Sequence, residues 1–252
     1  MTESVLPVDD TEVERFSRDG FAVVPELFTA QELSRYREAA LESMARAHRF
    51  AEVGLVRTAD IWEQNETLRE LTLHPRLGAV AERLAGRPLR IWGGEIMAKL
   101  PHEQTPSHLH DDLTASMLGS TFTLNAWVAL VDVPVQRGAM IFLPGSHRRP
   151  GPERIAFDAI ELGTYMTTAW PELEWSPRVT VPLRAGGVTF HQNRTAHAAG
   201  ANATDVLRLA FAVTFADAET ATYQPLPGHD CLPMRVGEPI DPGRYPRVGS
   251  RA

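Results

Sequence analysis

The sequence predicts a mainly β protein in which an N-terminal helical layer braces a β-sandwich or barrel. Up to about residue 88 the apolar side chains recur at helical spacing. From residue 89 onward, short runs rich in Val, Thr, Phe and Trp alternate with Gly, Pro and Asn, which is typical of strands joined by turns. Because no linker-like stretch divides the chain, we expect one domain over 1–252, with a helical layer at about 1–88, a β core at about 89–216 and an irregular tail at 217–252.

The helical layer has recognisable boundaries. A helical pattern over residues 11–18 ends at Gly20, and the apolar run FAVV that follows is typical of a short strand. Thr29 and Glu32 have the spacing of a capping box, in which the hydroxyl and the carboxylate each accept a hydrogen bond from a backbone amide of the first turn. A helix is therefore predicted to begin there, and a further helical stretch is predicted at about 62–84.

The β region consists of six predicted strands and one long insertion. The strand-like runs are LRIWGGEIMAKL, TFTLNAWVALVDV, AMIFLPGS, RVTVPL, GVTFHQ and LRLAFAVTFA. Residues 156–180 form the insertion, and long loops in compact domains are often lids. Its large side chains predict a partly apolar substrate; they are Phe157, Tyr165, Met166, Trp170 and Trp175.

Composition excludes several classes of partner. The net charge of −7 and the pI near 5.7 argue against a nucleic-acid surface, which would need clustered Lys and Arg. The single cysteine, Cys231, excludes an intramolecular disulfide and a multi-cysteine zinc site, and it favours a reducing, cytoplasmic location. The acidic N-terminus lacks the apolar core of a signal peptide, and no apolar run is long enough for a membrane span. We expect a cytoplasmic monomer or homodimer.

The stretch PSHLHDDLT places imidazole and carboxylate groups close together. His110 and Asp112 are two residues apart, so in an extended segment both side chains share one face. A third ligand must come from elsewhere, and the run FHQNRTAHAAG supplies His191 and His197. Two histidines and one carboxylate form the facial triad of non-haem Fe(II) oxygenases. The pattern therefore predicts a metal site.

Residue patterns alone leave alternatives at each position. His108 with His110 and His197 would form a cupin-type metal site, and a His-x-Asp pair is also common in metal-free surface turns. Arg208 interrupts an apolar strand, where a charge needs a partner unless that strand face is exposed. For Lys99, the alternative to a role in a binding site is a position at a solvated strand edge. For Trp127, the alternative is a position in the apolar core.

Five segments in the same order carry a resemblance to a known family. They are FSRDGFAVVPELFTAQELSRYREAA, IMAKLP, SHLHDDLT, AWVALVDVPVQRGAMIFLPGSHR and HAAGANATDVLR. Together they resemble the phytanoyl-CoA dioxygenase-like (PhyH) family of Fe(II)/2-oxoglutarate-dependent oxygenases over nearly the whole chain. The resemblance implies a double-stranded β-helix, the jelly-roll or cupin-like fold, with an N-terminal helical layer.

The resemblance also implies the site residues. It assigns His110, Asp112 and His197 as iron ligands and Arg208 as the residue that binds the far carboxylate of 2-oxoglutarate. It leaves Asp111 pointing away from the metal. The remaining predicted cosubstrate contacts are Trp127, Lys99 and Asn125.

One position departs from the family pattern. Ala199 stands where the family often has a Ser or Thr that helps to hold the cosubstrate carboxylate. We expect Thr189, Thr121 or Thr123 to replace it.

The activity implied by the resemblance is that of a dioxygenase with Fe(II), 2-oxoglutarate and O2. It would hydroxylate a small secondary-metabolite substrate and release succinate and CO2. Because Asp112 retains the carboxylate that related halogenases lack, halogenation is disfavoured. Epimerisation, desaturation and ring closure use the same chemistry and stay open, as does a non-catalytic β-sandwich that only binds a ligand.

Overall fold

The computed structural model describes residues 7–46, 50–52, 55–114, 116–119, 122–150, 164–225 and 234–249. The helices are α1 (Asp10–Asp19), α2 (Ala30–Arg46), α3 (Ile61–Gln64), α4 (Glu66–Thr72), α5 (Pro75–Ala85) and α6 (Tyr165–Ala169), with 3₁₀ turns at Ser146–Arg148 and Pro171–Glu174. The strands are β1 (Phe21–Val24), β2 (Phe50–Glu52), β3 (Leu55–Thr58), β4 (Leu89–Lys99), β5 (Ser107–His110), β6 (Thr123–Ala129), β7 (Met140–Phe142), β8 (Val179–Val181), β9 (Val188–Gln192), β10 (His197–Ala199) and β11 (Arg208–Asp217).

The helix boundaries follow the local signals in the sequence. Gly20 ends α1 with a left-handed φ of 84°, a conformation that glycine adopts without steric cost, and its amide donates to the Phe16 carbonyl at 2.8 Å. At the start of α2 the Thr29 amide donates to Glu32 Oε2 at 2.7 Å, and the Glu32 amide donates to Thr29 Oγ1 at 3.2 Å. This is the predicted capping box.

The antiparallel strands form two sheets. The larger sheet has the order β1-β9-β6-β11-β4-β3-β2 and the smaller sheet has the order β5-β10-β7-β8. Long pairing between β4 and β11 runs from Leu89 opposite Asp217 to Lys99 opposite Arg208 and forms the middle of the larger sheet. The predicted jelly-roll fold with flanking helices is confirmed.

One part of the larger sheet lies within the predicted helical layer. Strands β2 and β3 form a hairpin that extends the sheet through pairing of Val56 with Ala98. These strands have three and four residues, which is too short for a two-residue alternation to be recognised in the sequence. Their stability comes from β4, more than thirty residues later, so the local pattern contains no signal for them.

The two larger apolar clusters of the described residues stabilise the fold. The helices pack on the outer face of the larger sheet around large buried side chains such as Tyr36, Trp62 and Phe211. A second cluster lies between the sheets, and here several positions carry only alanine, among them Ala199, Ala210 and Ala212. Small side chains at these positions extend little into the space between the sheets.

The predicted lid region is described from residue 164 onward, and Phe157 lies outside the described residues. Its buried residues Tyr165, Met166 and Trp170 form a cluster with Ala196, so they anchor the segment to the protein. Trp175 in contrast is 87% exposed. Tyr165 and Trp170 thus anchor the segment, and the apolar substrate lining stays a prediction.

The described parts of the tail, 217–225 and 234–249, contain isolated bridges but no helix or strand beyond the end of β11. Ile240 and Tyr245 are nevertheless buried in a small apolar cluster. Among the helices of the described segments, none has the length and apolar character that a bilayer crossing requires.

Candidate active site

Strand pairing brings the predicted metal ligands together. His110 at the end of β5 is the register partner of His197 at the start of β10, and their ring centroids are 4.2 Å apart. Asp112 follows β5, and its Oδ1 lies 3.7 Å from His197 Nε2. One potential ligand atom from each of the three residues lies within 4.8 Å of the others. The geometry therefore places two imidazoles and one carboxylate around a common point.

Hydrogen bonds fix which imidazole nitrogen faces that point. His110 Nδ1 donates to the His108 carbonyl at 2.7 Å, and His197 Nδ1 donates to the Thr195 carbonyl at 2.9 Å. A carbonyl only accepts, so each Nδ1 carries the proton and each Nε2 keeps its lone pair for a metal. Burial lowers the pKa of both imidazoles, and in His110 the neighbouring His197 lowers it further. Both rings are thus kept in the neutral form that ligates metals.

The Asp112 carboxylate is oriented by two donors. Its Oδ2 accepts from Asn125 Nδ2 at 2.8 Å and from His191 Nε2 at 3.0 Å. Thr214 Oγ1 donates to Asn125 Oδ1 at 2.6 Å, which fixes the orientation of that amide. Burial alone would raise the pKa of Asp112, but the adjacent His197 ring and the hydrogen bond from His191 outweigh burial and lower it. The carboxylate is therefore ionised, and its Oδ1 is directed to the metal position.

Residue patterns alone leave His191 and His108 open as metal ligands, and the structure decides both, together with the orientation of Asp111. His191 donates to Asp112 and is not among the three residues that converge. His108 is exposed and contributes its backbone carbonyl to His110, so the described residues do not assemble the alternative site of His108, His110 and His197. Asp111 points away, as predicted, and pairs with Arg149. No pattern in the sequence predicted the pairing of Asp111 with Arg149.

Two buried cations lie side by side at the end of β4 and the start of β11. Lys99 and Arg208 are register partners with 0% and 1% exposure, and no carboxylate in the described part of the chain forms a salt bridge with Arg208. Burial lowers the pKa of Arg208 to about 9. Burial and the charge of Arg208 lower the pKa of Lys99 to about 8, while its Nζ donates to the Thr105 carbonyl at 2.9 Å. Two desolvated cations at one place favour a bound anion.

Polar atoms on the inner face of the larger sheet continue from these cations. The Trp127 ring lies 5.4 Å from the Arg208 guanidinium carbon, and Trp127 pairs in register with Thr189. Trp127 Nε1, Thr189 Oγ1 and Arg208 Nε are buried without a hydrogen-bond partner among the described residues.

Buried polar groups normally have partners, so these three atoms fit a polar ligand between the sheets. Three threonines were predicted to replace the missing hydroxyl at Ala199. Of these, Thr189 has a buried hydroxyl without a hydrogen-bond partner among the described residues. Thr123 is buried on β6, and Thr121 lies outside the described residues.

The donor set fits the chemistry that the sequence predicted. Two neutral imidazoles and one carboxylate suit non-haem iron with open positions for further ligands. A planar guanidinium beside an ammonium suits a carboxylate. Metal position and anion position lie on the same inner surface, with Trp127 next to Arg208 and Asn125 two residues earlier on β6 next to Asp112.

Relatives with known names have similar sequences. The chain is 25% identical over 162 residues to phytanoyl-CoA dioxygenase domain-containing protein 1 of Mus musculus, covering 62% of this chain and 55% of that protein. It is 26% identical over 156 residues to ectoine dioxygenase of Stutzerimonas stutzeri (strain A1501), covering 56% and 51% respectively. The chain spans about half the length of the curated relatives it matches.

Solved structures match over almost the full length. The non-haem α-ketoglutarate-dependent carbocyclase SnoK from nogalamycin biosynthesis is 35% identical, with a TM-score of 0.89 and 96% of each chain covered. The epimerase SnoN, in complex with Fe3+, α-ketoglutarate and nogalamycin RO, is 39% identical, with a TM-score of 0.85 and coverage of 95% of this chain and 98% of that one. The Phytanoyl-CoA dioxygenase (PhyH) family matches residues 16–210, and this chain belongs to that family.

Proposed function

We propose that the protein is an Fe(II)- and 2-oxoglutarate-dependent dioxygenase that oxidises a small natural-product molecule and releases succinate and CO2. The observation that carries the proposal is the pairing of two sites on one inner surface. Two neutral imidazoles and an ionised carboxylate converge at one position, and two buried cations lie at another. Within the described segments, no carboxylate forms a salt bridge with the second of these cations, Arg208. Family membership supports the same chemistry.

Each residue has a role that follows from its contacts. His110, Asp112 and His197 would hold the iron, which supplies oxygen activation when it is bound. Arg208 would bind the far carboxylate of 2-oxoglutarate with its planar guanidinium, and Lys99 would add a second positive charge. Around them, Trp127 lies over the guanidinium, and Asn125 donates a hydrogen bond to Asp112.

The product chemistry has two candidates. Hydroxylation is the usual outcome of this cosubstrate pair, and the Asp112 carboxylate disfavours halogenation. Epimerisation or ring closure is the second candidate, because the chain is 35% and 39% identical to a carbocyclase and an epimerase over almost its full length. The product mass separates them: hydroxylation adds one oxygen atom, epimerisation leaves the mass unchanged, and ring closure removes two hydrogen atoms.

The substrate is proposed to be a partly apolar natural product. Support comes from the apolar residues between the sheets that are only partly buried, Phe21, Val23 and Met97. The lid aromatics, which first suggested this property, are occupied in anchoring the lid. Similarity to two enzymes of nogalamycin biosynthesis supports a substrate of that general kind.

A cosubstrate titration tests the proposal. Under anaerobic conditions the wild-type protein with Fe(II) and 2-oxoglutarate should give a weak visible charge-transfer band, and in air it should convert 2-oxoglutarate to succinate. Asp112→Ala should lose the iron, and Arg208→Ala should bind iron but lose the band.

Arg184 is a matched control, since its side chain is 88% exposed and paired at the surface, so Arg184→Ala should behave like wild type. A wild-type protein that binds no stoichiometric iron would refute the proposal and favour the non-catalytic ligand-binding β-sandwich.

A further inference from the structure

Asp111 lies between the two neighbouring metal-ligand candidates but serves a different partner. Its side chain and that of Arg149 form an ion pair with exposures of 0% and 3%. The other carboxylate oxygen, Oδ1, accepts from the Thr114 amide at 2.9 Å. Burying both charges costs free energy that their attraction only partly offsets, so a buried ion pair by itself is weak evidence for stability. Its location suggests a positional role.

The Arg149 guanidinium also holds the segment that leads to His197. One of its Nη atoms donates to the carbonyls of Ser146 and Arg194, and Arg194 donates in return to the Arg149 carbonyl at 3.0 Å. Ser146 Oγ accepts from the Ala196 amide at 2.8 Å, one residue before His197. A single guanidinium therefore joins the chain before β10 to the loop after β5.

Residues of the segment that begins at residue 164 cover this guanidinium. The Trp170 ring lies 4.2 Å from the Arg149 guanidinium carbon, and Trp170 Nε1 donates to the Pro150 carbonyl at 2.7 Å. Tyr165 Oη accepts from the Asp111 amide at 3.1 Å. These contacts exclude water from the ion pair, which strengthens its charge-assisted hydrogen bonds and fixes their geometry.

We propose that Arg149 is a positioning residue for the metal centre, which it serves by holding the loop of His110 and Asp112 and the strand of His197 at a fixed separation. This inference rests on the proposed iron-dependent function. Arg149 touches neither the metal position nor the cosubstrate position and acts through Asp111 and the Arg194 carbonyl. Partners that orient metal ligands typically change metal affinity 10- to 100-fold when they are removed.

The rival explanation is that the ion pair only stabilises the fold, and paired variants separate the two. Arg149→Met leaves the Asp111 charge buried and unpaired, which destabilises a protein strongly. Adding Asp111→Asn removes that charge and keeps an oxygen acceptor for the Thr114 amide. The double variant should therefore recover its stability without recovering the link to the Arg194 carbonyl.

The experiment measures stability and metal binding on the same proteins. Urea midpoints are recorded for the metal-free chains, and Co(II) affinity is measured by titrating its visible absorption under anaerobic conditions. Arg148→Met is the matched control, because it makes the same change at an exposed neighbouring position. We expect Arg149→Met to lose both stability and affinity, and the double variant to return to near the wild-type midpoint while its dissociation constant for Co(II) stays at least about 10-fold raised.

The possible failures are distinguishable. A double variant that regains both the midpoint and the wild-type Co(II) affinity would overturn the positioning role and leave the proposed function intact. A wild-type protein that binds no Co(II) or Fe(II) would overturn the proposed function and the positioning role together. A control variant as impaired as Arg149→Met would also count against the role, because the effect would then not be specific to the buried guanidinium.

Discussion

Replacing Lys99 by methionine is predicted to strengthen the metal-free fold and to weaken cosubstrate binding. Burial and the adjacent Arg208 lower the pKa of Lys99 from its ordinary 10.5 to about 8. At 1.36 kcal/mol for each pKa unit, the charged ammonium costs the folded state about 3 kcal/mol. Methionine has a similar length without the charge. It cannot form the hydrogen bond to the Thr105 carbonyl, and the loss of that bond destabilises the variant by about 2 kcal/mol. The variant should be about 1 kcal/mol more stable at pH 7.

The pH dependence gives this prediction its sign. Because the folded pKa lies below the unfolded one, the unfolded chain binds more protons between pH 8 and 10.5, and wild-type stability rises over that interval. The destabilisation of the folded state by the charged ammonium is fully present below about pH 8 and absent above about pH 10.5. Wild type should therefore overtake Lys99→Met as the pH increases. Lys99 is the only lysine in the chain, so NMR of protein labelled on lysine alone reads its titration directly.

Cosubstrate binding should change in the opposite direction. A charge-assisted hydrogen bond contributes roughly 1.5–3 kcal/mol, so the dissociation constant for 2-oxoglutarate should rise about 10- to 100-fold in Lys99→Met. Urea denaturation at several pH values and an anaerobic 2-oxoglutarate titration measure the two effects. A variant that is destabilised at pH 7, or one that binds 2-oxoglutarate as wild type does, would refute the reasoning that an anion compensates this buried charge.

Three further predictions follow from specific contacts. Asn125→Ala should raise the dissociation constant for Fe(II) about 10-fold or more, because Asp112 loses one of its two orienting donors; an unchanged metal titration would contradict this. Arg208→Lys should weaken 2-oxoglutarate about 10-fold in the same titration, since a lysine keeps the charge and loses the planar fork. Gly20→Ala should lower the free energy of unfolding in urea by about 2–4 kcal/mol, because its Cβ would lie 2.5 Å from two side-chain atoms at a positive φ. Gly86→Ala, which also has a positive φ but open space around it, should lower that free energy by about 1 kcal/mol.

Sequence reasoning succeeded where the signal is local or the spacing is short. The capping box of Thr29 and Glu32 depends on four consecutive residues, and the structure forms it. The strand texture after residue 89 predicted the sheets, and the family resemblance named the three residues that converge. For a facial triad, the residue types themselves carry most of the information.

Sequence reasoning failed where a side chain acts through a distant partner. No sequence pattern singled out Arg149, and only the folded chain shows that its guanidinium is buried against Asp111. His191 resembles a metal ligand in the sequence, but its position on β9 directs it to the back of Asp112. Tyr165 and Trp170 were predicted to face a substrate, and they lie in a buried cluster with Ala196. In each case, long-range pairing decides the role of the side chain.

Among the described strands, β5 lies at the edge of the smaller sheet and pairs with β10 alone. Its pairing with β10 is brief and irregular, yet it ends on the two histidines that face each other. An ion held by both histidines would crosslink the two strands at this edge of the sheet. Backbone amides of residues 107–110 would then exchange with solvent slowly only when iron is present. Iron binding would in this way slow proteolysis of the folded chain, in addition to supporting the proposed catalytic reaction.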